Sequence, residues 1–422
     1  MKFYGTGTVI ALVGFVVAYQ YIEPAPPDHI VIATGRQDGA YYRFAERYQA
    51  ILARQGIALE IRSTSGSVEN LRLLADPASG VEVAFAQSGI TAPPTAAPPL
   101  LALASLYFEP LWIFCRNGID TSNINDLRGK RIAIGEEGSG ARAIALQLLA
   151  DHGVAGQPTQ LLPLNGAAAT QALLAGELDA VFTVAAFQAE RVQTLLHSTD
   201  ITLLSYQQAP AYMRLHRYLS AVTLPMGVVD LAHNQPPHDI TLLAPAATLV
   251  THEDLHPALI DLLLQTATEV HGAGGMFEDP LQFPSPRFVG FALHDEAQRF
   301  YHDGPSILQR FLPFWAATFV DRTKVMILPL LALLLPLFKL VPPTYQWRIR
   351  SRVYRWYSEV QAVDEAFAKN RARERLSEYL AELERIEGEA RRVVVPLAYA
   401  DALYTLRLHI DLIRNQILRA ER

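Results

Sequence analysis

A chain of 422 residues with a single cysteine, Cys115, cannot close an internal disulfide. No cysteine lies near the N-terminus, which excludes a lipid anchor on an N-terminal Cys. Cys115 ends the run Leu111-Trp112-Ile113-Phe114-Cys115, which reads as a buried strand, so its thiol is expected to be a small core group. A basic surplus is also missing. Residues 23–324 hold 19 Lys and Arg against 30 Asp and Glu, and the whole chain carries a net charge of -6. A body that acidic has no basic stripe for phosphates, so nucleic acid is not expected as a partner.

Catalytic signatures are absent as well. Gly138-Ser139-Gly140 lacks the GxSxG spacing of a nucleophile elbow, and no lysine follows its glycines as a phosphate loop requires. His252-Glu253-Asp254-Leu255-His256 matches HExxH letter for letter. Zinc needs that run on a helix, with both imidazoles on one face. Pro257 follows at once, and proline takes the first helical position while keeping its predecessor out of helical geometry. The motif therefore belongs to a turn. The other histidines have no spaced partners, and no enzyme, metal or cofactor is expected.

Two long uncharged stretches are present. Residues 3–22 carry no charge and are long enough to span about 30 Å of hydrocarbon. A cleaved signal peptide is the competing reading, but "VVAYQYIEPAPP" offers no small-x-small cleavage site, which favours an uncleaved anchor over residues 1–23. Residues 325–341, "VMILPLLALLLPLFKLV", are apolar all round despite Pro329 and Pro336, which a bilayer tolerates. Arg348, Arg350, Arg352 and Arg355 follow among Tyr345, Trp347, Tyr354, Trp356 and Tyr357, an aromatic belt with a positive-inside flank. The expected arrangement is a bacterial inner-membrane protein with residues 23–324 in the periplasm and 345–422 in the cytosol.

The outer body repeats one device. His29–Thr34 reads as a strand running into Gly35-Arg36-Gln37-Asp38-Gly39 and a helix whose face carries Phe44, Tyr48, Ile51 and Leu52. Leu59–Ser63 leads into Thr64-Ser65-Gly66-Ser67 and a helix with Val68, Leu71 and Leu74. Lys130–Gly135 leads into Gly138-Ser139-Gly140 and a further helix, and Asn165-Gly166-Ala167 opens another. Strand, small polar glycine loop, helix is the signature of an α/β fold with its ligand site at the carboxyl ends of the strands. One such loop is a helix cap. Four facing one cleft make an anion site from free N–H groups at helix N-termini.

Thr34-Gly35 with Gly39-Ala40-Tyr41-Tyr42, Ser65–Leu71 and Ala84-Phe85-Ala86-Gln87 resemble the TAXI family of solute receptors, which serve TRAP-type transporters. Asp126–Gly135 with Gly138-Ser139-Gly140, and Leu174–Phe182, are similar to second-lobe patterns of periplasmic binding proteins. The resemblance covers about residues 29–315. It implies a type II periplasmic binding protein fold with a hinged cleft, lobe one at 28–112 with a return segment at 240–320, and lobe two at 113–239. It also implies a small anionic solute, an organic acid or acidic amino acid. Carried over position by position, the ligand-binding residues are Tyr42, Ser65, Gly66, Ser67 and Gln87 from lobe one, and Ser139, Gly140 and Thr183 from lobe two. Arg36 stands where the family usually has a second glycine, and either reaches a carboxylate or narrows the cleft; Tyr41 and Glu109 are rim residues.

The tail reads as a helical hairpin. Val360, Val363, Phe367, Leu376, Leu380, Leu383 and Ile386 are helically spaced over 351–388, and a second run follows Pro396. Such a pair either steadies the anchor or docks a TRAP-type permease or a signalling partner. The chain is thus expected to be a tethered solute receptor, with a ligand-sensing subunit as the alternative.

Overall fold

β1 (His29–Ala33), helix α1 (Ala40–Arg54), β2 (Ala58–Arg62), α2 (Ser67–Leu74) and β3 (Val83–Gln87) form a parallel unit in which β1 lies between β2 and β3. β3, Val-Ala-Phe-Ala-Gln, is buried along its whole length, as a parallel strand covered on both faces must be. β4 (Leu100–Phe108) and β5 (Leu111–Arg116) then run on almost as one strand, broken at Glu109-Pro110.

The second lobe repeats the first. β6 (Arg131–Ala133), α3 (Gly140–Asp151), β7 (Gln160–Leu162), α4 (Gly166–Leu174) and β8 (Ala180–Val184) give a parallel order β7-β6-β8, matching β2-β1-β3. α5 (Glu190–Leu196), β9 (Ile201–Leu203), α6 (Ala209–Leu215) and β10 (Leu219–Leu224) complete it. The 13-residue β11 (Ile240–His252) belongs to both lobes. Its first half pairs with β10 and touches β5 at Leu243–Leu111, and its second half runs antiparallel to β3 and β4. Two antiparallel segments therefore cross between the lobes, held where the Glu109 N–H donates to the Pro245 carbonyl at 2.8 Å. Each carries a proline at the crossing, Pro110 and Pro245.

α7 (Pro257–His271) and α8 (Asp295–Asp303) return to the first lobe, and Phe314, near the body's far end, is buried in the same core as Tyr41, Tyr48, Leu52, Phe85 and Leu263. The buried face of α1 is Tyr41, Ala45, Tyr48 and Leu52; Phe44 and Ile51, expected on that face, sit at its half-buried edge. His252 and His256 lie at the end of β11 and in the turn before α7, where the His256 Nδ1 caps the helix by accepting from the Ala258 N–H at 3.1 Å. Cys115 is fully buried in β5, and burial pushes its thiol up to about 12.

The computed structural model describes residues 24–305 except 94, 95, 97 and 98, then 311–320, 355–370, 372–391 and 400–421, with isolated positions between 13 and 19 and between 308 and 334. The chain falls into two units, Pro24–Asp321 and a second made of 1–23 with 322–422. The stretches expected to cross the membrane, 3–22 and 325–341, lie largely outside the described residues, and among the described residues no helix is long and apolar enough to cross one. The tail holds helices at 355–369, Arg373–Arg391 and Ala400–Glu421. The expected continuous run over 351–388 is therefore broken. The Asn370 side chain accepts from the Ala372 N–H at 3.1 Å, an Asx turn that competes with the helix. Trp356, Phe367, Leu383, Ile386, Ile410 and Ile417 close a core of their own there.

Candidate functional site

The four glycine loops converge. Gly35–Tyr41, Ser65–Ser67, Ser139–Ala141 and Asn165-Gly166 line one cavity of about 130 Å³ between the lobes, with Gln87 at the end of β3 and Glu109 at the crossing. Parallel strands of each lobe point their carboxyl ends at it, and the helices that follow start there. This is the crevice position expected for ligands in an α/β sheet. Among the sequence-expected residues, Arg36, Ser65, Gly66, Ser67, Gln87, Ser139 and Gly140 meet at this cavity.

Tyr42 and Thr183 do not line it. α1 starts at Ala40, and one residue turns a helix by about 100°, so Tyr41 is the tyrosine that faces inward. Tyr41 stacks on Phe85 with centroids 5.2 Å apart, while Tyr42 is left half-buried elsewhere. Thr183 is buried in β8 opposite Trp112, and its neighbours Val184, Ala185 and Ala186 reach the cavity instead.

The expectation of free N–H groups at the helix starts also changes. α2 starts after Gly66, whose φ of 126° suits glycine and which has no side chain to cap the helix. The surrounding hydroxyls work locally instead. The Ser65 Oγ donates to the Glu69 carboxylate at 2.6 Å, which holds that acid below the usual range, and the Thr64 Oγ1 donates to the Thr34 carbonyl at 3.0 Å. Asn70, buried in α2, donates to the carbonyls of Thr34 and Phe85 and so ties the ends of β1 and β3 to the loop. Two N–H groups expected to be free, Val68 and Glu69, donate to the Gly138 carbonyl of the other lobe at 3.1 and 3.4 Å. Arg36 does not point at a free anion either. It bridges the lobes, with Nη1 2.8 Å from Glu136 and Nε 3.2 Å from Asp38.

Glycine is required where the lobes touch. Gly138 has φ 84°, and a β-carbon there would run into the Ser65 hydroxyl. A β-carbon on Gly140 would lie 2.5 Å from the Gln87 Oε1 and 3.0 Å from the Ser67 Oγ. The Ser139 hydroxyl caps α3, accepting from the Arg142 N–H at 3.3 Å and donating to the Glu136 carbonyl at 2.7 Å.

Besides Arg36, positive charge at the cavity comes from two arginines that sequence reasoning did not select. Arg191, at the start of α5, is largely buried. Its Nη2 donates only to the Val184 carbonyl at 3.3 Å, and its Nε has no partner. Burial pulls its pKa down, Asp38 holds it up, and Arg43 and Arg36 push it down again. Arg43 lines the same cavity and makes no ion pair among the described residues. Asp38 is raised by burial, but the Arg36 hydrogen bond and charge, together with the charge of Arg191, bring it below the ordinary carboxylate range. In "FQAERVQTLL", Arg191 reads as one more surface arginine. The one signal available was its place just after β8, at the carboxyl end of a second-lobe strand.

Opposite in character is the pole around Glu109. This side chain is 7 % exposed, and burial lifts its pKa to about 7, with the Tyr41, Gln87 and Tyr107 side chains holding it back. The Tyr41 hydroxyl donates to its Oε2 at 2.9 Å. Among the described residues no group of three or more His, Cys, Asp or Glu is arranged to hold a metal.

The structure aligns with the aliphatic sulphonate binding protein SsuA of Escherichia coli at 15% identity and TM-score 0.39, over 75% of this chain and 94% of that one. It aligns with the alkanesulfonate-binding SsuA of Xanthomonas axonopodis pv. citri, bound to MOPS, at 16% identity and TM-score 0.36, over 59% and 75%. The effector binding domain of a BenM variant aligns at 13% identity and TM-score 0.37, over 58% and 94%. Residues 32–273, which contain every strand from β2 to β11 and the whole cavity, match the model of the NMT1-like family, and the chain belongs to that family.

Proposed function

We propose that the chain is a membrane-anchored solute receptor of TRAP/TAXI type, whose extracytoplasmic body binds a small organic acid or acidic amino acid and hands it to a permease. One observation carries the reading: the inter-lobe cavity holds a largely buried guanidinium, Arg191, whose buried Nε has no partner. A buried donor of that kind costs on the order of 1–3 kcal/mol until an acceptor arrives. A carboxylate or sulfonate is such an acceptor, and Arg43 supplies the second positive charge. The anchor reading rests on residues 3–22 and 325–341 of the sequence, and the periplasmic placement on the arginine-rich flank after 341.

The test is a thermal-shift screen of the full-length chain in detergent against mono- and dicarboxylates, sulfonates and amino acids, repeated with Arg191→Met. An anion that stabilises the wild type, and loses at least tenfold in affinity in the variant, supports the reading. Equal binding by both proteins removes Arg191 from the site.

The sensor alternative draws on one observation, the separately packed helical core of the tail. Truncation after residue 343 separates the two. Uptake that survives while a cellular response to the ligand is lost favours the sensor.

A further inference from the structure

The cavity is lined by two kinds of pole. Arg191 and Arg43 present donors and positive charge, and both line its wall. Glu109 and Gln87 present acceptors. Glu109 is 7 % exposed and has no ion pair among the described residues; the Tyr41 hydroxyl donates to its Oε2 at 2.9 Å, and the Gln87 and Tyr107 side chains also stand against the carboxyl, all of them neutral groups. The Gln87 residue is 2 % exposed, and its Oε1 is buried without any donor. The Gln87 backbone is fixed, because its N–H donates to the Ser67 Oγ at 2.9 Å. Glu109 is fixed as well, because its own N–H closes the crossing with Pro245. Both acceptors are therefore held by rigid strand ends of the first lobe rather than by mobile loops. The Tyr41 ring that feeds Glu109 is locked by stacking on Phe85.

A buried acceptor left without a donor is destabilising, and a second negative charge placed beside a buried carboxylate is more so. A plain dicarboxylate that set one end on Arg191 would bring its other end toward Glu109 and be repelled. A molecule with an ammonium or hydroxyl at that end would satisfy both poles.

Resting on the solute-receptor reading above, we propose that Glu109, with Gln87, is the specificity-determining residue of the cavity. It selects ligands that carry one anionic group for Arg191 and Arg43 together with a separate hydrogen-bond donor, and it rejects unsubstituted mono- and dianions of the same length. Burial lifts the Glu109 pKa to about 7, the neutral Tyr41, Gln87 and Tyr107 side chains hold it back, and no cation faces it among the described residues.

A matched set tests this on the full-length chain by calorimetric titration at pH 8: butyrate, 2-aminobutyrate, 4-aminobutyrate, 4-hydroxybutyrate and succinate. At least one donor-bearing member is expected to bind tenfold or more tighter than both butyrate and succinate. Glu109→Gln is expected to erase the preference for an ammonium and to improve succinate binding at least tenfold. Wild-type protein that binds succinate or butyrate as tightly as the donor-bearing members overturns the inference and leaves the receptor reading standing. A wild-type ranking that persists unchanged in Glu109→Gln overturns it too. Failure of all five to bind sinks both this inference and the receptor reading for ligands of this size. The wild-type ranking decides the matter even if the variant folds poorly.

Discussion

Glu109→Gln also makes a prediction that needs no ligand. The folded protein holds this carboxyl at about 7, up from 4.5, chiefly because burial disfavours its charge. Between those two values the native state binds more protons than the unfolded chain. Stability must therefore fall as pH rises from 4.5 through about 7, and the loss is complete above that. At 1.36 kcal/mol per pKa unit, the shift corresponds to roughly 3 kcal/mol at pH 8. Glutamine keeps an acceptor for the Tyr41 hydroxyl and has nothing to ionise. For a body of this size each kcal/mol moves Tm by about 2 °C, so Glu109→Gln should melt about 6 °C above wild type at pH 8 and level with it at pH 4.5. Scanning calorimetry of the full-length protein between those pH values is the assay. Glu82 and Glu278, whose carboxyls burial also raises, contribute equally to both proteins and cancel in the difference. Parallel Tm profiles for the two proteins would refute the assignment of a buried charge without a cationic partner to the crossing.

Gly138→Ala places a β-carbon against Ser65 in a left-handed backbone, a conformation that costs about 1–2 kcal/mol for a non-glycine residue. It should hold the lobes apart and weaken ligand binding at least tenfold, and unchanged affinity with unchanged small-angle scattering would contradict it. Arg36→Gln removes an inter-lobe ion pair whose partners are almost half exposed. Unfolding free energy should change by no more than about 1 kcal/mol, and 0.5 M salt should reproduce the effect in the wild type. Ile410→Ala opens a void in the fully buried tail core and should cost about 2–5 kcal/mol there. Circular dichroism should then show the tail melting earlier while the body transition stays in place.

Local signals carried the α/β pattern. Alternating strands and glycine loops announced β1-α1, β2-α2, β6-α3 and β7-α4, because periodicity and cap chemistry are written in neighbouring residues. Pro257 was equally readable, and it sets the start of α7. What failed needed tertiary information. Tyr41 and Tyr42 differ by one residue, so choosing between them requires the start of α1 to within a residue. The N–H groups of Val68 and Glu69 are free in any local reading, and only the approach of Gly138 from the other lobe takes them. Arg191 looks like any helix arginine until β8 and α5 are placed around it. Glu109, expected at the rim, is buried, because nothing in "YFEPLW" says that two strands cross there. Asn370, one polar residue in a helical run, was too weak a signal to split the first tail helix.

Both ends of the body leave from the same lobe: β1 opens it at His29, and Phe314 is sunk in its core. The other lobe is joined to it covalently only through the Glu109–Pro110 and Ala244–Ala246 segments. Opening and closing can therefore be carried by the half with no covalent path to either apolar stretch except through the first. On the receptor reading proposed above, cargo would be trapped and released by swinging one half, while the half that carries both chain ends keeps its footing.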